Sequence, residues 1–454
     1  MHQKDRTASK PTSRRRFLSQ GALGAVAITG LSGEFASPMA RAGTGASPAT
    51  SPSRKIVVGV MGTSRYATGG DGRGSHLAKT LAKLPNVEVA YVCDVDQRHI
   101  AYAREEVGKI VKSGTPPKGV GDFRRILDDK DVDALVVATP DHWHAPAAIL
   151  GCAAGKHVYV EKPCCHNAHE GEMLVAAAKK LDRHVQHGTQ RRTWPAMREA
   201  VERLRAGDIG RVIHARCFYY SNRATIGTGK LMPAPAELDW PLWQGPAPRR
   251  EFKDNYLHYT WHWFWNWGTG ELGNNGVHFI DQARWGLGVE YPTRIAFTGG
   301  KFRYQDDQET PDMGDVSFEF GDKLLTWEYR SWSAKAPMEP DYDVLFAGEK
   351  GFMALRGGSY SIHDLKGKKI ADGTGESSDS NHLNNFIQTI RGDAKLHAPI
   401  DEGYKSALLC NLGNVSYRVG RVVNFDPNAR RITGDNEAAA LWQRQYEPGW
   451  EPKV

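Results

Sequence analysis

Cysteine is scarce in this 454-residue chain, with six in all, at positions 93, 152, 164, 165, 217 and 410. That falls far below a disulfide scaffold, and none of the spacings sets up a metal-ligand pair. Cys164 and Cys165 are adjacent and would bridge only with strain, so most of the six read as small core residues. The His-rich stretches also lack a helix-spaced ligand pair with a carboxylate, so no metal is expected. The apolar run Gly21 to Leu31 is 11 residues long and diluted by three glycines, well short of the roughly 20 residues that span a bilayer. Charge of one sign is lacking as well. Of the formal +7, seven basic and two acidic side chains sit in residues 1–42, so the other 412 residues carry 52 Lys and Arg against 50 Asp and Glu. With 24% charged and 40% apolar residues over the whole chain, the near-neutral body excludes a global footprint for nucleic acid and is too apolar to be disordered. At roughly 150 residues per domain, it should hold two domains or three.

The N-terminal excess of charge has an order to it. Ser13-Arg14-Arg15-Arg16-Phe17-Leu18-Ser19 precedes the apolar run, and Ala40-Arg41-Ala42 follows it. A basic region, a short apolar region and an Ala-x-Ala cleavage site in that order resemble a twin-arginine export signal over 1–42. No Cys precedes Cys93, so a lipid anchor is not expected. The expected mature protein starts near Gly43, carries a Ser/Pro/Gly/Ala-rich linker over 43–54, and is free of the membrane in the periplasm or outside the cell. The export machinery is its implied partner.

From Lys55 the pattern changes to short β-branched runs separated by amphipathic helical stretches: Ile56 to Met61, Val87 to Cys93, Ala134 to Thr139, His157 to Val160 and His184 to His187. Buried runs alternating with helices predict a parallel sheet with crossover connections over 55–188. Gly62, Gly72 and Gly74 after the first run supply the glycines of a dinucleotide fingerprint, which let the backbone turn tightly toward a pyrophosphate at a helix N-terminus. Their spacing is stretched by about eight residues relative to that fingerprint, and Arg73 lies between the last two. Asp94 follows Gly74 by 20 residues, where a carboxylate accepts both ribose hydroxyls and repels a 2′-phosphate. This favours NAD, while Arg98 one turn later leaves NADP open.

Thr139-Pro140-Asp141-His142-Trp143-His144 closes one strand and Glu161-Lys162-Pro163 the next. Ligands of a doubly wound sheet bind at such carboxyl ends. With Cys93-Asp94, these motifs make the stretch from about Lys55 to Arg421 resemble the Gfo/Idh/MocA family of NAD(P)-dependent sugar and inositol oxidoreductases. The resemblance implies that Lys162 sits beside the nicotinamide and the reacting hydroxyl, and that Gly62, Gly72, Arg73, Gly74, Asp94, Thr139, Pro140, His144, Glu161 and Lys162 form the cofactor site. It also implies a homo-oligomer.

After Gly188, runs at 211–220, 294–297, 316–320, 324–329 and 342–347 predict an α+β domain on a large, mostly antiparallel sheet over 189–430, with 431–454 as a tail. Trp261, Trp263, Trp265 and Trp267 alternate at period 2. Such alternation suits either a strand burying one face or a carbohydrate platform, in which indole faces pack against sugar C–H groups while His262 and its polar neighbours bond hydroxyls. His278 matches the His of the family's Asp-x-x-x-His pair, and Asn274 stands where the family has Asp. Asn cannot supply charge. Lys162 and His278 are therefore expected to share acid/base work, with Asn274, Trp261, His262, Trp263 and Arg191 toward substrate and Asp281 as an orienter of His278.

An exported enzyme meets no free dinucleotide pool, so NAD must stay bound and be regenerated in each cycle. Three readings follow: a sugar oxidoreductase that couples two carbonyl exchanges, a glycosidase or lyase working through transient oxidation at C3 as some relatives do, and a sugar-binding or assembly protein without turnover.

Overall fold

The computed structural model describes residues 54–454 apart from 67–68 and 112–113. The export signal and all but the last residue of the linker lie outside the described residues. Strands β1 (Ile56–Met61), β2 (Val87–Cys93), β3 (Lys118–Val120), β4 (Ala134–Val137), β5 (His157–Val160) and β6 (Val185–His187) pair in parallel in the order β3-β2-β1-β4-β5-β6. The β4 side chains are fully buried because helices cover both faces, which is why its sequence is unbroken Ala-Leu-Val-Val. Crossovers run through α1 (Arg73–Ala82), α2 (Gln97–Gly108), α3 (Arg124–Asp128), α4 (Asp141–Ala153) and α5 (Ala168–Lys180). The strand order reverses between β1 and β4, and this opens a crevice at their carboxyl ends.

The second half opens with α6 (Pro195–Ala206) and β7 (Val212–Asn222), then α7 (Trp240–Gln244) and α8 (Val277–Leu287). Its sheet comprises β7, β8 (Arg294–Gly300), β9 (Met313–Phe320), β10 (Lys323–Arg330), β11 (Trp332–Ser333), β12 (Val344–Gly348), β13 (Gly351–Arg356), β14 (Ser359–Asp364), β15 (Lys369–Thr374), β16 (Val423–Asp426) and β17 (Arg431–Thr433). All neighbours are antiparallel except β7 and β10. Helix α10 (Ile400–Val419) is buried nearly all round and belongs to the same core as β7, β9, β10 and α5.

Two boundaries differ from the sequence expectation. Helix α9 (Asp379–Arg391) belongs to the first sheet, since Leu383, Phe386 and Ile387 pack with Ile56, Val58, Leu77 and Val136 in one cluster. Nor are residues 431–454 a tail. β17 extends the large sheet, α11 (Asn436–Ala440) follows it, and Arg444 reaches back to the Glu170 carboxylate (2.7 Å) and the His142 carbonyl (2.7 Å).

The Trp run is also not a strand. Thr260–Trp263 form a 3₁₀ turn followed by loop, and the rings diverge. Trp267 is in a core cluster with Trp240 and Trp243, Trp263 is buried beside Arg223, and Trp261 and Trp265 line separate cavities. Period 2 arose here from tight turning that sends successive indoles to different neighbours.

Candidate active site

The glycine turn after β1 is closed by contact. Gly62 has φ +87°, and a Cβ there would lie 2.5 Å from the Ala138 carbonyl oxygen. A Cβ on Gly74, in the first turn of α1, would lie 2.2 Å from the Gly62 carbonyl, and one on Gly72 would strike Ser64. The three glycines thus bring β1, α1 and the end of β4 to backbone contact, which opens a cradle at the α1 N-terminus. The stretched spacing is accounted for by an excursion that leaves and returns through paired Arg65 and Asp71, so the turn itself keeps its ordinary build.

The cradle opens into a cavity of about 460 Å³. Gly62, Arg73, Asp94, Thr139, Pro140, His144, Glu161, Lys162, Trp261, His262, Asn274 and His278, all expected from the sequence, line it. Asp94 accepts the Asp96 N–H (3.0 Å), while Asp96 caps α2 by accepting from Arg98. Arg98 is turned onto Asp96 by two further hydrogen bonds of 3.0 and 2.6 Å, which commits it away from a 2′-phosphate. A small apolar annex beyond Asp94 is walled by Met61, Cys93, Val95, Phe123 and Trp143 and roofed by Leu242 and Trp243 of the second half. These residues fit NAD. The glycine cradle, the strand-end carboxylate and the buried, unpartnered Thr139 Oγ1 and Gln190 Oε1 are what such a ligand needs.

At the inner end, Lys162 Nζ donates to the Asn274 carbonyl oxygen (2.7 Å). That carbonyl belongs to a π-turn, Leu272–Gly276, that leads into α8. Wide turns of this kind recur at functional sites because they displace one residue's carbonyl from the helical ladder. Burial, reinforced by the positive charges of Lys162, Arg191 and Arg73, holds the His278 imidazole well below its ordinary value, so it is neutral. Its buried Nδ1 has no hydrogen-bond partner. His144 ties the two strand ends together, one ring nitrogen on the Pro163 carbonyl (2.5 Å) and the other on that of Thr139 (2.7 Å). Glu161 is buried. Its burial would raise the carboxyl, but Arg73 (2.6 Å) and Lys162 outweigh that and leave it below its usual range. Arg73 in turn holds Asp379 at the start of α9.

Asp281 is not an orienter of His278. It is 1% exposed and faces away from the cavity, receiving Arg192 through both oxygens at 2.8–3.0 Å and the Ser406 hydroxyl at 2.6 Å. Its place one turn beyond His278 is real, but the buried guanidinium claims it. Arg191 does not reach the cavity wall either, bonding Gln282 (2.8 Å) and lying on the Phe279 ring. Trp263, Gly72 and Gly74 act from behind the lining.

Sequence reading missed Arg223, Tyr219, Tyr259, Tyr66, Gln190, Asp141, His99 and His258, which also line the wall. Arg223 bonds the buried Glu271 carboxylate (3.1 and 3.2 Å) and the hydroxyls of Tyr259 (2.6 Å) and Tyr219 (3.1 Å). Asn274 Nδ2 lies 3.5 Å from the same carboxylate. The negative charge that Asn274 lacks is therefore present one turn earlier, already neutralised by Arg223. Asp96, His99 and His258 place ligand atoms within 4.8 Å of one another, a trio that the sequence did not suggest. The Asp96 carboxylate there is spent on the α2 cap and Arg98.

A cleft of this build is that of a dinucleotide-binding oxidoreductase, a class that many families share. The chain belongs to the Gfo/Idh/MocA oxidoreductase family: residues 56–189 match its NAD-binding Rossmann fold, and residues 214–310 and 344–452 its C-terminal alpha/beta domain. Levoglucosan dehydrogenase of Pseudarthrobacter phenanthrenivorans is 30% identical over 170 residues, 37% of this chain and 36% of that protein. A glycosyl hydrolase family 109 protein of Saccharopolyspora erythraea is 32% identical over 191 residues, 40% and 39% of the two chains. The matches thus span well under half of these relatives' length. Among solved structures, aldose-aldose oxidoreductase from Caulobacter crescentus superposes with a TM-score of 0.60 at 20% identity, over 82% of this chain and all of that one, which supports the fold.

Proposed function

We propose that this protein is an exported oxidoreductase that oxidises a hydroxyl-bearing carbon of a sugar or sugar derivative, with NAD kept bound and its hydride passed on to the carbonyl of a second sugar that is reduced to the alcohol in the same cycle. The observation that carries the reading is Lys162, fixed by the Asn274 carbonyl in a cavity it shares with neutral His278. NAD, when bound, supplies the hydride acceptor. The turn of Gly62, Gly72 and Gly74 would hold its pyrophosphate and Asp94 its ribose. His278, neutral at physiological pH, takes the hydroxyl proton, and the Lys162 ammonium stabilises the negative charge that develops on the oxygen. Leu242 and Trp243 line the annex beside Asp94.

Lys162→Met should keep the dinucleotide while lowering turnover about 10²- to 10⁴-fold. Mature protein that carries no extractable dinucleotide and binds none would overturn the reading. A second reading, redox-neutral glycoside cleavage, is favoured by the likeness to family 109 proteins. Release of aryl alcohol from an aryl glycoside, abolished in Lys162→Met, would select it. Export rests on residues 1–42, and replacing Arg14 and Arg15 by Lys should block delivery to the periplasm. The homo-oligomer implied by the family is tested by light scattering.

A further inference from the structure

Behind the cofactor cleft lies a second cavity of about 440 Å³ that shares no lining residue with the first. The wall between them is Gly268-Thr269: Gly268 backs onto His262, and Thr269 donates through its N–H (3.1 Å) and hydroxyl (2.5 Å) to Asp141, both of which line the cleft. The two cavities differ in charge. Asp94, Asp141 and Glu161 line the first beside Arg73, Lys162 and Arg223, so its charges are mixed, whereas the second has three arginines, at 250, 418 and 444, and no acidic side chain in its lining.

Two of those arginines are already paired, Arg250 with Glu309 (2.9 Å) and Arg444 with Glu170 (2.6 Å), from outside the lining. Arg444 still has a buried Nη1 without a partner. Arg418 pairs with no carboxylate among the described residues and lies over the Trp265 ring at 5.4 Å. An unpaired guanidinium stacked on an indole presents a planar donor fork, suited to a carboxylate, beside an apolar face. The remaining wall is rich in side-chain amides, with Gln443 at the rim, and these both donate to and accept from hydroxyls. The volume falls in the range of small-ligand sites.

We propose that this cavity is a second binding site, for a carboxylate-bearing monosaccharide such as a uronic or aldonic acid. The acid group sits on Arg418, with the spare Arg444 valence nearby, and the sugar's C–H face lies against Trp265. The site works apart from catalysis, since none of its side chains enters the cofactor cleft.

Isothermal titration of the mature protein loaded with NAD tests this, with glucuronate, glucose and acetate as probes. Glucuronate should bind at least tenfold tighter than glucose or acetate. Arg418→Gln and Trp265→Leu should each weaken it at least tenfold, with melting temperature and dinucleotide content unchanged, whereas Lys162→Met should leave it intact. Glucuronate affinity unaltered in Arg418→Gln, or lost in Lys162→Met, would place the binding elsewhere and overturn the proposal. Equal affinity for glucose would refute the charge argument, and equal affinity for acetate the sugar argument.

Discussion

Restoring the family's aspartate at position 274 should harm this protein, and the harm should grow with pH. In Asn274→Asp the introduced oxygen takes the place of Nδ2, 3.5 Å from the buried Glu271 carboxylate. Two unit charges at that distance repel by about 5 kcal/mol at an effective dielectric near 20. The introduced carboxyl escapes by keeping its proton, at about 1.4 kcal/mol per pH unit above an ordinary value of ~3.9. At pH 5 that route costs only about 1.5 kcal/mol. At pH 8 it costs more than the repulsion, so the repulsion applies, reduced in part by Arg223 on Glu271. A carboxyl whose folded value is raised binds more protons in the native state, so stability is kept below the unfolded value and lost as pH rises through the folded one. Urea unfolding should therefore show the variant losing about 2–3 kcal/mol more, relative to the parent, at pH 8 than at pH 5. Parent and variant curves that shift in parallel between these pH values would refute the argument that Glu271 already fills the charged position.

Asp281→Ala should cost about 3 kcal/mol, because it leaves the buried Arg192 guanidinium with only a 3.5 Å contact to Glu402 in place of its 2.8 Å pair; the urea midpoint measures this, and the pH profile of turnover should not move, as it would if Asp281 oriented His278. Gly62→Ala combines a strained φ with a clash against the Ala138 carbonyl, so NAD affinity measured by nicotinamide fluorescence should fall at least tenfold. Phe386→Ala opens a cavity under the first sheet, at about 3–5 kcal/mol in chemical unfolding. That loss should accompany a faster release of cofactor.

The parallel sheet and its strand-end motifs were legible because each lies within a few consecutive residues. β4 is a continuous apolar run that only a strand covered on both faces requires, and Thr139 and Lys162 follow directly from strand ends. The second half was harder. Its strands at 351–374 mix polar and apolar residues on a half-covered face, and their pairing is set by partners far along the chain. The cavity wall shows the same limit. Arg223 and Tyr259 come from loops and Gln190 from a short 3₁₀ turn, and nothing near them in sequence says that they converge on the cleft. Asp281 illustrates the opposite error: helical spacing placed it near His278, but three residues turn a helix by about 300°, enough to hand it to Arg192.

The salt bridge from Arg73 to Asp379, with α9 packed beneath it, also orders events during synthesis. The six strands of the first sheet are complete once residue 187 has been made, yet the face around Leu77 and Val136 has no cover until residues 379–391 emerge. At about 5–20 residues per second, the nascent chain carries that bare apolar face for roughly 10–40 seconds. An N-terminal fragment ending near residue 188 would keep it bare permanently. The dinucleotide half is thus a product of the whole chain, and its cradle is braced only after most of the second half has left the ribosome.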